Sequence, residues 1–214
     1  MLQERSVEHD VWMPPEADAP PRDPRSYDAV MVFGGAMHVD QEDRHPWLAP
    51  EQALLRELVE REVPLLGVCL GSQLLAAAAG GAARRAPRPE IGWHRVETTE
   101  GAGDPLLAAL APAFEAFQWH SYEFTLPPGA TALARSEVCL QAFRLGNAVG
   151  IQFHAEVTRD DALAWIEDFR SDEDAVGIGL DADALRHRTR ESIDAWNETG
   201  RALCDRWLAY SGVT

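Results

Sequence analysis

The chain predicts an α/β fold, an open and mostly parallel sheet flanked by helices with a small antiparallel β section. Two observations carry this. Continuous apolar runs of strand length alternate with amphipathic helical segments in the first half. Shorter strand-like runs separated by turn signals crowd the region 93–153. Buried parallel strands read as unbroken apolar runs because helices cover both faces, and right-handed crossovers join them.

In chain order, residues 7–12 suit a short strand, followed by a Pro-rich loop over 14–24. Residues 29–33 (A-V-M-V-F) form a buried strand ending at Gly34-Gly35. Residues 50–62 predict a helix, with Leu54, Leu55, Leu58 and Val59 on one face and charges on the other. A second buried strand follows over 64–68, then a small-residue helix over 71–79. Further strands are expected over 94–98, 114–118, 130–134, 140–145 and 149–153, with Pro127-Pro128-Gly129 and Gly146-Asn147 as turns. Thr158-x-x-Asp161 reads as a helix cap, with the helix reaching about residue 169. An Asp- and Gly-rich loop and an amphipathic helix near 192–210 complete the chain. One domain over 1–214 is expected, with its core at about 27–158 and a helical segment over 159–214.

Composition excludes several classes of function. A net charge of -16 argues against nucleic acid or an anionic membrane as partner. No apolar run approaches the ~20 residues that span a bilayer. Three irregularly spaced cysteines make neither a disulfide framework nor a metal site, so a reducing cytosol is the expected compartment. His38, His45 and His94 lack ligand spacing and read as loop or surface residues. No metal or cofactor is expected. Trp47, Trp165, Trp196 and Trp207 read as packing residues, and the acidic stretch 167–174 as a solvated face.

Gly67-Val68-Cys69-Leu70-Gly71 joins a buried strand to a helix, the arrangement of a nucleophile elbow. The turn is too tight for side chains beside the nucleophile, and the helix aims its unpaired N–H groups at the sulfur, favouring thiolate. Taken alone, the string fits a small buried core cysteine equally well. Cys139 and Cys204 have no such setting and read as core or partly buried thiols. A nucleophilic cysteine needs a base and an orienting carboxylate, and Gln152-Phe153-His154-Ala155-Glu156 offers both at a strand end. Residues i and i+2 of an extended segment share a side, so His154 and Glu156 project together. Gly34-Gly35 ends a strand where ligands bind such sheets, and a backbone N–H there can serve an oxyanion with Leu70 N–H as second donor.

Together, G-V-C-L-G-S-Q, Q-F-H-A-E-V-T and the strand ending in Gly-Gly resemble the class I, triad-type glutamine amidotransferases. The chain is most similar to stand-alone members related to the glutaminase domain of GMP synthase. Pro89-Glu90-Ile91-Gly92-Trp93 and Phe117-Gln118-Trp119-His120 extend the likeness. The resemblance implies a flavodoxin-like sheet and a glutaminase half-reaction through a Cys69 γ-glutamyl thioester. Cys69, His154 and Glu156 would be catalytic, with Gly35 and Leu70 N–H groups forming the oxyanion hole. Gln73, His120, Ser121 and Tyr122 match positions that contact substrate. Implied partners are glutamine or a γ-glutamyl compound and a separate ammonia-accepting synthase or ligase. The alternatives are a stand-alone γ-glutamyl hydrolase using the same triad and a non-catalytic binding protein on the same scaffold.

The chain departs from the family pattern in four places. Ala36 and Ala155 stand where the family has proline. Trp119-His120-Ser121-Tyr122 puts a phenol where an acidic residue faces the substrate ammonium, with Glu123 adjacent. The family's first strand has no counterpart, and a start codon further upstream is expected.

Overall fold

The computed structural model describes residues 2–14, 16, 20–99 and 103–213. Seven strands form one sheet: β1 (Val30–Val32), β2 (Leu65–Val68), β3 (Ala83–Thr98), β4 (Ala113–Phe124), β5 (Thr131–Arg135), β6 (Leu140–Leu145) and β7 (Ala148–Ile151). Their spatial order is β1-β2-β7-β6-β5-β3-β4. Parallel pairing joins β1 to β2 and β2 to β7, and every other neighbour pair is antiparallel. The open, helix-flanked sheet is as the sequence predicts, but its antiparallel share is larger than a small section. The three parallel strands are those whose carboxyl ends carry the candidate site.

Among the described residues, five helices of the α type cover the sheet: α1 (Leu48–Glu60), α2 (Leu70–Ala78), α3 (Arg159–Glu167), α4 (Glu173–Gly177) and α5 (Ala182–Ser211). All four residues of β2 are buried, because α1 and α2 pack one face of the sheet and α3 and α5 the other. Leu65 joins the core containing Leu55, Leu58 and Leu74, whereas Leu66 and Val68 join the one containing Ile166, Ile193 and Trp196. Strand alternation thus splits one short run between two cores. Among the described residues, no helix is long and apolar enough to cross a membrane.

Three expectations are corrected. Residues 7–12 form no strand. The strand expected at 94–98 begins at Ala83, and its pairing with β4 is interrupted between Arg85 and Glu90, around Pro87 and Pro89. Prolines lack the donor a ladder needs, so local reading ends the strand there although it resumes beyond them. Helix α5 starts ten residues before the expected 192, where the Asp181 side chain accepts from Ala184 N–H. Its buried stripe runs Leu185, Thr189, Ile193, Trp196, Gly200, Leu203 and Trp207. Thr189 and Gly200 carry no apolar signal, which hides the periodicity. The cap at Thr158 forms as expected, with reciprocal bonds to Asp161.

Glu51, in the first turn of α1, is half-buried, and burial lifts its carboxyl to about 7. Its folded value lies above the ordinary 4.5, so the stabilisation from proton binding is complete below pH 4.5 and lost as pH rises through about 7. Glu51→Gln is therefore expected to match wild type near pH 4.5 and exceed it at pH 8. After partial exposure and the lost helix-dipole contribution, the gain is about 1 kcal/mol, or roughly 2–4 °C in melting temperature. Equal melting at pH 8 would refute this.

Candidate active site

Strand β2 ends at Val68, and Cys69 turns the chain straight into α2 at φ 52, ψ -113. Two glycines make that turn possible. A Cβ on Gly71 would lie 2.2 Å from the Val32 carbonyl oxygen, and one on Gly67 would lie 2.7 Å from the Gly71 oxygen. The Cys69 N–H donates to the Ile151 carbonyl at 2.9 Å, tying the elbow to the end of β7. Gly34 closes the other side: an added Cβ would sit 3.7 Å from the Cys69 sulfur and 3.4 Å from His154 Cε1. The glycine that borders both reactive groups is therefore Gly34, one residue before the donor the sequence singled out.

His154 lies three residues past β7, between bends at Phe153 and Ala155 rather than on the strand itself. Its Nδ1 is 2.6 Å from Glu156 Oε1, and the Cys69 sulfur lies near enough to favour the ring's charge. The ring packs edge-on against Trp165 at 4.9 Å. Burial works against its charge, but Glu156 and Cys69 outweigh it, and His154 holds its proton well above the ordinary imidazole value. The surrounding loop is held from both sides. His154 N–H donates to Phe117 O on β4, while Trp196 Nε1 on α5 donates to His154 O at 2.8 Å. Asn197 Nδ2 donates to Val157 O at 2.7 Å. Trp196, read from sequence as packing, is both packed and a donor to the His154 carbonyl.

These groups open onto a cleft of about 930 Å³. Gly35, Leu70 and Gln73 line it beside Cys69, and His154 and Glu156 beyond. The opposite wall is the end of β4, with His120, Ser121 and Tyr122. The structure thus brings every sequence-predicted site residue to one cleft. The roles within it differ in ways the sequence did not signal. The His120 side chain is only 1% exposed; its Nδ1–H donates to Tyr122 O at 2.9 Å and its other edge faces Glu90. The Tyr122 hydroxyl donates to Asp40 at 2.9 Å, and its ring stacks on His38 at 4.2 Å. His38 is a loop residue, as expected, and it also lines the cleft. Glu123, the adjacent acid, pairs with Arg84 instead. The acidic stretch 167–174 is not merely a solvated face, since Asp172 accepts from Trp119 Nε1 and Asp174 pairs with Arg85 at the cleft rim.

Among the described residues, Glu90, His120 and Cys139 bring three potential metal-ligand atoms within 4.8 Å of one another. The chemistry of Glu90 and Cys139 fits a hydrogen-bond network centred on the carboxylate better than an ion cage. Glu90 Oε2 already accepts from Ser136 and Gln141, and from the Cys139 thiol. Burial and the Glu90 charge push that thiol up, away from the thiolate a metal needs.

The sequence profile described as glutamine amidotransferase class-I matches residues 1–170. A putative glutamine amidotransferase-like protein, YfeJ, of Salmonella typhimurium is 35% identical over 152 residues, 68% of this chain. The match covers 61% of that relative, so the chain spans less than two thirds of its length. One of the subunits of the glutamine-hydrolyzing GMP synthase of Ignicoccus hospitalis is 35% identical over 164 residues, covering 73% of this chain and 82% of that one. Among solved structures, a glutamine amidotransferase of Thermotoga maritima superposes with a TM-score of 0.84 at 30% identity, over 97% of this chain and 89% of that one. A glutamine amido transferase of Methylobacillus flagellatus gives 0.81 at 29% identity, over 98% and 87%.

Proposed function

The chain belongs to the class-I glutamine amidotransferase family, and we propose that it hydrolyses the γ-amide of glutamine through a thioester on Cys69. The carrying observation is the 2.6 Å contact of Glu156 with His154 Nδ1, which leaves the other ring nitrogen to a sulfur on a strained strand-to-helix turn. In the first step the Cys69 sulfur, its proton held by His154, attacks the amide carbon. The oxyanion is stabilised by Gly35 N–H and Leu70 N–H; Leu70 opens α2, where helix geometry leaves the N–H without an intrahelical acceptor. His154 returns its proton to the departing nitrogen as ammonia leaves. Water, deprotonated by His154, then cleaves the thioester to glutamate and free Cys69. Glu156 holds the ring orientation throughout. Gln73 and the wall at His120, Ser121 and Tyr122 receive the amino-acid end of the substrate.

The likeness to the Ignicoccus GMP synthase chain supports ammonia delivery to a separate acceptor enzyme. A second reading, hydrolysis of larger γ-glutamyl amides, is favoured by one observation. The cleft of about 930 Å³ leaves room for a leaving group far bulkier than ammonia. The test is to incubate the full chain with glutamine and with γ-glutamyl peptides, measuring ammonia and glutamate, with Cys69→Ala as control. Ammonia from glutamine, absent in the control and raised by a partner, is the expected result. Partner-free cleavage of peptides in preference to glutamine would favour the second reading. Silence with all substrates would leave a binding protein.

A further inference from the structure

We propose that Glu90, which lies outside the triad, is a positioning residue for the substrate wall: it fixes His120, and His120 fixes the Tyr122 carbonyl beside the nucleophile helix. The inference rests on the glutaminase reading of the cleft. Glu90 is 2% exposed and sits opposite His120 in the β3–β4 register, where the ladder resumes past Pro89. A carboxylate is costly to bury unless hydrogen bonds and opposite charge surround it. Here Ser136 Oγ donates to Oε2 at 3.0 Å, Gln141 Nε2 at 2.8 Å and the Cys139 thiol at 3.5 Å. His94 Nδ1 lies 3.8 Å from Oε1. Burial pushes the Glu90 carboxyl up, but His120 and Ser136 outweigh it and hold it below the usual value.

His120 completes the ring of contacts. Its Nε2 lies 3.2 Å from Glu90 Oε2, close but too bent for a well-formed hydrogen bond, and its Nδ1–H is on Tyr122 O. The imidazole is thus fixed between a carboxylate and a carbonyl. That same Tyr122 carbonyl accepts from Gln73 Nε2 at 3.1 Å, and Gln73 Nε2 also approaches Gln152 Oε1 at 3.2 Å. Gln73 lies one turn past Cys69, and Gln152 two residues before His154. One carbonyl therefore joins the binding wall to the nucleophile helix and the base loop, and Glu90 supports it from beneath. An apolar core residue would bury more cheaply at position 90, so the charge acts on geometry rather than on packing.

Glu90→Gln preserves shape and removes the charge. It is expected to raise KM for glutamine about 10-fold while kcat stays within 3-fold. Alkylation of Cys69 by iodoacetamide, which needs the triad but not the wall, stays within 2-fold. Hydrogen exchange accelerates in the peptide spanning 119–122 and not in the one containing Cys69. On a His120→Asn background, whose amide can still reach Tyr122 O, Glu90→Gln adds no further change. Unchanged KM and exchange would overturn the proposal, and so would a parallel loss of kcat, alkylation and protection throughout the chain. If Glu90→Gln does not fold, Ser136→Ala removes one donor and should shift KM and exchange in the same direction by a smaller factor. No shift there overturns the proposal too. Should the wild-type protein turn over no glutamine, the glutaminase reading fails, and the exchange pattern still decides the role of Glu90.

Discussion

Cys69→Gly is expected to melt at a higher temperature than Cys69→Ala, although neither variant turns over substrate. Cys69 occupies φ 52, ψ -113, a region that side chains avoid. Such a conformation costs about 1–3 kcal/mol. Alanine keeps that strain. Glycine removes it, against about 0.5–1 kcal/mol of added freedom in the unfolded chain. The net difference is about 1 kcal/mol, or roughly 2–4 °C for a chain of this size. The two variants differ by a single methyl at a cleft-lining position, so packing differs little between them. Loss of the nucleophile should lower turnover by about 10⁴-fold or more in both variants, since the triad acts as a unit. Thermal melts of the two variants with glutaminase assays check both halves. A glycine variant less stable than the alanine one would show that the turn is held by packing around the sulfur rather than strained for function.

What could be read from the sequence was local and chemically constrained. Gly67 and Gly71 are dictated by contacts that no side chain could make, so the elbow announces itself in five residues. His154 and Glu156 meet at two residues' spacing as the sequence suggests, although the strand ends at Ile151 and bent rather than extended chain joins them. What could not be read depends on distant partners. The charges along the first third of α5 look like solvent-facing loop until Trp93 Nε1 is seen donating to Thr189 Oγ1 and Leu185 packing on Gly92. Tyr122 stands where an acid was expected, but only the fold shows its hydroxyl committed to Asp40. Glu90 reads as part of a family-like string, and the donors that surround it come from residues 136 to 141, brought to it only by the fold.

The C-terminal helix, beyond the residues that the family profile matches, packs against the loop carrying His154 and Glu156. At Gly200 the α5 backbone passes so close to the loop over 154–156 that an added Cβ would lie 2.0 Å from the Ala155 carbonyl oxygen. Ala155 stands between His154 and Glu156, so the atom in the way belongs to the loop that carries base and carboxylate. Two opposing effects act on Gly200→Ala. Helix propensity favours alanine by about 1 kcal/mol. Steric overlap with backbone, which cannot swing aside as a flexible side chain does, costs about 1–3 kcal/mol. Sterics should win, with a net loss of roughly 1 kcal/mol and a small fall in melting temperature. The effect on turnover should be larger than the effect on stability. Trp196 and Asn197, one turn earlier on α5, hold the His154 and Val157 carbonyls, so a displaced helix pulls the loop with it. A shift of about 1 Å between base and nucleophile lowers the rate by roughly 100-fold. The variant should therefore stay folded with kcat reduced to about 1% of wild type. If it proves more stable and fully active, helix propensity has prevailed, and the contact of α5 with the catalytic loop does not hold His154 in register with Cys69.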